Sequence, residues 1–194
     1  MAEPKEKAGI GGTIVVIIIV GAFIVGLYLT LTRGKRENKF EPAVTTSEAS
    51  NLLAKDLAAN YPGTAREVMK TYCRITQCLY SEELEDDEIE KLIDQLRVLY
   101  SDELLAINDR DSMISLARGE IKHYNSNNMT INSYHVEESG EITYYRNDNP
   151  PRAIVDIYFT IKTDKEFSRS YEEFVLIQND DGQWKILGWR QSEG

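Results

Sequence analysis

The sequence predicts an α+β protein in which an N-terminal transmembrane helix is followed by about four helices packed on an antiparallel sheet of about five strands. Three observations lead to this fold class. A long uncharged segment lies near the start of the chain, apolar residues recur at helical spacing in its middle part, and after residue 128 the apolar period shortens to two. The 194 residues therefore divide into four parts: a short tail (1–7), a transmembrane helix (8–32), a linker (33–46) and a soluble α+β domain (47–194).

The uncharged segment is long enough to cross a bilayer. Residues 8–32 form a run of 25 uncharged residues centred on TIVVIIIVGAFIVGLYLTL. A helix of that length spans roughly 37 Å, more than the roughly 30 Å of a bilayer core. A cleaved signal peptide is the alternative, but its apolar region is usually about 7–15 residues long and ends at a small-residue cleavage site, which this segment lacks. We therefore expect an uncleaved anchor in contact with membrane lipid.

The charges beside this segment leave two orientations open. Lys5 and Lys7 precede it, whereas four basic residues follow it, Arg33, Lys35, Arg36 and Lys39. This count favours a cytoplasmic domain. Long domains, however, cross membranes largely regardless of charge, and a short N-terminal tail often stays inside. We expect a single-pass protein of the cell membrane with an extracytoplasmic domain.

The part of the chain after the predicted span is strongly acidic. The whole chain carries a net charge of −10, and its first forty residues carry +3, which leaves −13 for residues 41–194. A domain with that charge is repelled by phosphate backbones. We therefore expect no nucleic-acid partner.

The middle of the chain predicts four helices. Residues 33–46 show no hydrophobic period and predict the linker. The first helix begins near Ser47 and stops at Pro62-Gly63. The second opens with a capping box, in which the Thr64 hydroxyl accepts from the amide of Glu67 and the Glu67 carboxylate reaches back. The apolar stripes have the spacing of helix faces: Leu53, Leu57 and Tyr61 in the first; Val68, Tyr72, Ile75 and Leu79 in the second; Ile89, Leu92, Ile93, Leu96, Leu99 and Tyr100 in the third, which begins near Asp86; and Met113, Leu116, Ile121 and Tyr124 in the fourth, which follows Asn108-Asp109.

The C-terminal part predicts five strands. Their approximate bounds are Met129–Glu137, Ile142–Arg146, Arg152–Thr163, Phe167–Asn179 and Gln183–Gln191. The third strand alternates strictly, which assigns one of its faces to the core: Ala153, Val155, Ile157, Phe159 and Ile161. Its other face carries Ile154, Asp156, Tyr158, Thr160 and Lys162.

The last two strands predict a hairpin that is apolar on both faces. Asp181-Gly182 is a signal for a two-residue type I′ turn. Such a turn pairs Ile177 with Ile186 on one face, and Leu176 with Leu187 and Phe174 with Trp189 on the other. We therefore expect Trp189 to be buried and the hairpin to be central in the sheet. Helices would cover one face, and a further layer such as a second subunit would cover part of the other.

This hairpin resembles the final strands of the nuclear transport factor 2-like superfamily, on the stretch FVLIQNDDGQWKILGW (residues 174–189). More narrowly, NYPGTAREVMKTYCRITQCLYSEEL (60–84) and LYSDELLAIN (99–108) resemble a bacterial family of single-span membrane proteins with no assigned function. The resemblance implies a cone of helices packed into a curved sheet, and it implies no activity.

The same resemblance supplies weak candidates for a pocket. Some members of the superfamily use the interior of the cone as an active site, with an Asp or His as general base and a Tyr as hydrogen-bond donor. The matching residue types here are Asp156, Tyr158, Tyr171 and His135. The alternative is a solvent-facing carboxylate with amphipathic tyrosines in a sheet. We assign no catalytic or cofactor-binding residue, and no pattern identifies a small-molecule ligand.

Metal binding and thiol chemistry are not indicated. His123 and His135 fall on different predicted elements, without the spacing of a zinc site. The acidic run between residues 82 and 90 lacks the turn glycine of a calcium loop and suits the N-terminus of the third helix. Cys73 and Cys78 are five residues apart, which in a helix is beyond disulfide reach, so we expect two core or partly buried thiols.

We expect a membrane-anchored, non-catalytic binding or interaction module, with a protein partner or a second copy as its partner. Two alternatives stay open. One is an enzyme with an acid/base site inside the cone, and the other is a structural subunit of an envelope complex.

Overall fold

The computed structural model describes residues 47–193. The predicted membrane span, residues 8–32, and the predicted linker lie outside these residues. None of the helices between residues 47 and 193 is long and apolar enough to cross a bilayer.

The described residues form a mixed α+β fold, as the sequence predicts. Five helices come first: α1 (Glu48–Leu53), α2 (Ala65–Ser81), α3 (Asp86–Val98), α4 (Asp102–Ile107) and α5 (Arg110–Ser126). Five antiparallel strands follow: β1 (Thr130–Val136), β2 (Thr143–Tyr145), β3 (Arg152–Lys162), β4 (Phe167–Gln178) and β5 (Trp184–Ser192). Helix α2 packs directly on the sheet, and α3 and α5 pack on α2 and on each other.

Two of the helix predictions need correction. The first helix ends at Leu53 rather than at Pro62-Gly63, because the Asp56 carboxylate accepts from the amide of Ala59 and holds a separate turn. Helix α4 was not predicted. It is capped by the Ser101 hydroxyl and is too short to show a period.

The second and third helices follow their predicted apolar stripes. Every predicted stripe residue of α2 is buried, and the Thr64 hydroxyl accepts from the amide of Glu67. The Glu67 carboxylate reaches back to the amide of Gly63 and the hydroxyl of Thr64. In α5, however, Leu116 is 45% exposed, and Ile114 and Ala117 are buried instead.

The sheet is built around β3. The strand order is β1-β3-β4-β5, and the short β2 pairs with the start of β3 on the same side as β1. The five apolar residues predicted for the core face of β3 are all buried. This core face, turned toward the helices, is the inner face of the sheet, and the opposite face is the outer face.

The predicted register of the last hairpin is right at one end and wrong at the other. Phe174 pairs with Trp189, but Leu176 pairs with Ile186, and Leu187 forms a bulge. The loop is one residue longer than a two-residue turn, because the Asn179 carbonyl accepts from the amide of Gly182 and the Asn179 backbone pairs with Gln183. Only Gly182 of the turn residues has a positive φ, at 75°. This is a type I turn followed by a left-handed residue.

The hairpin is not central in the sheet. Strand β5 is the last strand in the order. Within residues 47–193, its free edge pairs with the segment after α3, where the amide of Ser101 donates to the carbonyl of Ile186 and the amide of Ile186 donates to that of Leu99. Trp189 is half-buried on the inner face, stacked on Phe174 at 5.3 Å between ring centroids.

Candidate functional site

The four predicted pocket residues all lie on the outer face, away from the helices. His135, Tyr158 and Tyr171 are direct neighbours across β1, β3 and β4. The ring of Tyr158 stacks on His135 at 4.9 Å and lies 5.4 Å from that of Tyr171. We call these three residues the outer-face ladder. The structure thus brings them together, although not in an interior pocket.

Asp156 lies in the next row of the outer face, beside two further carboxylates. Glu173 is its partner across β4, and Glu137 accepts from the Asp156 amide at 3.0 Å. We call Glu137, Asp156 and Glu173 the acidic row. Among the described residues, Arg190 forms an ion pair with this row, and its guanidinium lies 2.8 Å from the Glu173 carboxylate. Partial burial and then repulsion from a neighbouring carboxylate raise the pKa of both Asp156 and Glu137.

The opposite side of the outer-face ladder is basic and apolar. Arg169 lies over the ring of Tyr158, 4.8 Å from its centroid, and contacts the Tyr171 hydroxyl. Within residues 47–193 it forms no ion pair with a carboxylate. Phe167, at the start of β4, is 63% exposed.

The inner face holds an acid that the sequence analysis missed. Glu172 is only 6% exposed, and its Oε2 atom has no hydrogen-bond partner within residues 47–193. Burial raises the pKa of its carboxyl group to about 8, so that the group is largely protonated at neutral pH. A buried, protonated carboxylic acid can donate one hydrogen bond and accept others.

Three buried tyrosines and a buried thiol are near enough to this acid for its charge to affect their pKa values. Tyr72 and Cys73 come from α2, Tyr100 from the segment just after α3, and Tyr124 from α5. Burial raises the pKa of each, and the Glu172 carboxylate, when charged, raises it further by repulsion. The Tyr124 hydroxyl, like Glu172, is buried without a partner within the described residues. We call these five side chains the interior cluster.

The strand period explains why Glu172 is buried. On β4 it alternates with Ser170, Phe174 and Leu176, all of which are buried on the inner face. Phe174 was already assigned to the face of Trp189, and a step of two residues from it reaches Glu172. The strand period therefore predicts a buried Glu172 from the sequence.

The remaining features of the described residues do not add a second chemical centre. No group of three His, Cys, Asp or Glu residues between 47 and 193 is close enough to hold a metal ion. Cys73 and Cys78 are both buried and free. Surface grooves of about 500 and 380 Å³ lie in the helical layer, one between α3 and α5 and the other between α2 and the turns after α1.

The chain belongs to a protein family of unassigned role. The sequence profile described as "Domain of unknown function (DUF6715)" matches residues 1–189, which is nearly the whole chain. No curated protein matches it.

Proposed function

We propose that this member of the family is a membrane-anchored, non-catalytic binding module that engages a protein partner through the outer face of its sheet. Residues 8–32 would be the anchor, and the acidic domain would face the extracytoplasmic side. The helices over the sheet would form a cone of the nuclear transport factor 2-like kind. The length of the uncharged segment and the resemblance of the final hairpin support these two parts of the proposal.

The observation that carries the proposed function is the composition of the outer face. It presents the outer-face ladder, an acidic row and an exposed Phe167 on one sheet surface. Half-exposed aromatic residues beside charged rows are typical of protein interfaces, whose centres are rich in Tyr and Arg. One partner could therefore contact large aromatic side chains and side chains of both signs of charge on this face.

The two histidines of the chain allow a direct test. His135 is exposed on the outer face, and His123 is exposed on α5, in the helical layer. Diethyl pyrocarbonate should modify His123 in native membranes but modify His135 much more slowly. In the purified, diluted full-length chain the two should react at similar rates. Equal reactivity of both residues in native membranes would contradict binding through the outer face.

The interior cluster favours a second candidate function, an enzyme with Glu172 as its acid or base. A carboxylic acid with a pKa near 8 can exchange a proton near neutral pH, and the tyrosines could donate to a developing negative charge. We rank it second because Glu172 is 6% exposed, so a substrate could reach it only if the helices moved. Its test is a small-molecule screen for thermal stabilisation. An enzyme or ligand site requires compounds that stabilise the native chain but not the Glu172→Gln variant.

A further inference from the structure

We propose that the outer face binds a second copy of this chain, so that the outer-face ladders of the two copies pack on each other about a two-fold axis that runs along the ladder. This inference rests on the proposed function, and it names the partner. Three observations support it: the distribution of charge, the matching positions of apolar residues, and the side of the domain at which the described residues begin.

The register of β4 determines which residues of the two copies face each other across such an axis. A two-fold axis along the ladder reverses the strand direction of the second copy. A residue two positions before Tyr171 then lies over the residue two positions after it. Arg169 therefore lies over Glu173 of the partner subunit, and Glu173 lies over the partner's Arg169. Two sheets packed in this way are about 10 Å apart, a distance that long side chains span from both sides.

The charges of the outer face match this arrangement. The acidic row contains three carboxylates, and within the described residues Arg190 forms an ion pair with one of them, Glu173. On the other side of the ladder, Arg169 has no carboxylate partner within the described residues. One copy thus has surplus negative charge where the second copy presents surplus positive charge. Complementary charges of this kind fix the register of an interface and exclude wrong partners.

Apolar residues occupy the next positions on each side. Four residues before Tyr171 on β4 is Phe167, and four residues after it is Val175. The same axis places Phe167, which is 63% exposed in the single chain, over Val175 of the partner subunit. Ile154 is the neighbour of Val175 on β3 and widens this apolar surface. Covering an exposed phenylalanine on both sides of the axis removes apolar surface from water twice.

The start of the described chain is also compatible with this axis. The amides of Glu48 and Ala49 donate to the Glu82 carboxylate, just after α2, and the neighbouring Ser81 hydroxyl donates to the carbonyl of Ile131 on β1. The described residues therefore begin beside β1, which is one end of the ladder. Two copies related by an axis along the ladder begin at the same end of that axis. Both predicted anchors can then enter one membrane.

Charge reversal in differently tagged full-length chains tests the arrangement. The chains are co-expressed, extracted in mild detergent and purified through one tag, and the amount of the other tag is measured. Glu173→Arg alone places Arg over the partner's Arg169, and Arg169→Glu alone places Glu over the partner's Glu173. We expect each variant, paired with itself, to retain at most about a tenth of the wild-type association. Pairing the two variants with each other restores opposite charges at both contacts and should restore association.

Two controls separate the interface from folding and from the anchor. Arg118→Ala removes an intrachain ion pair with Glu90 in the helical layer, away from the outer face, and should leave association at the wild-type level. The mixed pair contains no side chain that is not already in one of the two variants, so its recovery shows that both variants fold. Wild-type association by the single variants, failure of the mixed pair to recover, or a wild-type chain that does not copurify with itself would each overturn the inference. Protection of His135 in native membranes without such association would leave the proposed function standing, with a different partner.

Discussion

Replacing Glu172 by Gln should remove a pH dependence of stability that the buried acid creates. In the folded chain the pKa of this group is about 8, compared with 4.5 for the unperturbed group. Between these two values the folded state holds a proton that the unfolded state has lost. The free energy of unfolding therefore decreases by about 1.4 kcal/mol per pH unit as the pH rises, and by about 5 kcal/mol over the whole interval. This contribution is fully present below the unfolded pKa and is lost above the folded pKa.

The measurement is urea unfolding of residues 41–194 at several pH values between 4.5 and 9. Glu172→Gln keeps the size of the side chain and cannot ionise. We expect the variant to gain stability relative to the native sequence steadily as the pH rises, and to stop gaining above about pH 8. Glu166→Gln, an exposed acid in the turn before β4, is the matched control and should follow the native curve. A constant difference between Glu172→Gln and the native sequence at every pH would refute the buried, protonated acid.

Three further predictions concern the core and the last hairpin. Trp189→Ala should lower the free energy of unfolding by about 3 kcal/mol, because the ring stacks on the buried Phe174. Arg190 is exposed, so Arg190→Ala should change that free energy by less than about 0.5 kcal/mol in the same urea titration. Cys73 and Cys78 should react with iodoacetamide at pH 7.5 only after unfolding. Burial raises the pKa of the Cys73 thiol and raises that of the Cys78 thiol to about 12, so neither forms a reactive thiolate. Fast reaction of the folded chain would contradict this. Gly182→Ala should cost about 1 kcal/mol in thermal unfolding, because its φ of 75° is unfavourable for alanine, and an unchanged midpoint would show that the turn adapts.

The elements with a strict period were predictable from sequence. The alternation of β3 identified its buried face residue by residue, because every second side chain must leave water. The stripe of α2 did the same with helical spacing. The prediction that Leu116 belongs to the buried stripe of α5 was wrong. Helix α5 contacts α3 partly through ion pairs, in which Arg110 and Arg118 bind Glu90, and the small Ala117 packs against the core instead.

The register of the hairpin and the interior cluster were harder for physical reasons. The Asp-Gly pair suits a two-residue turn, but Asn179 binds the amide of Gln183 through its side chain and stabilises a longer loop. The bulge at Leu187 then restores the pairing of Phe174 with Trp189. The interior cluster joins side chains from α2, the segment after α3, α5 and β4, and no short stretch of sequence contains more than two of them.

The central claim, that the outer face of the sheet is the interface, can be tested most directly by hydroxyl-radical footprinting of the full-length chain in its native membrane. Four large apolar or aromatic residues within residues 47–193 are exposed: Tyr145 (43%) and Phe167 (63%) on the outer face, and Ile107 (46%) and Leu116 (45%) in the helical layer. We predict that Phe167 and Tyr145 are oxidised several-fold more slowly in the membrane than in the diluted, purified chain, while Ile107 and Leu116 react equally in both. Oxidation of Phe167 at the same rate in both samples, or protection of the helical pair instead, would contradict the account.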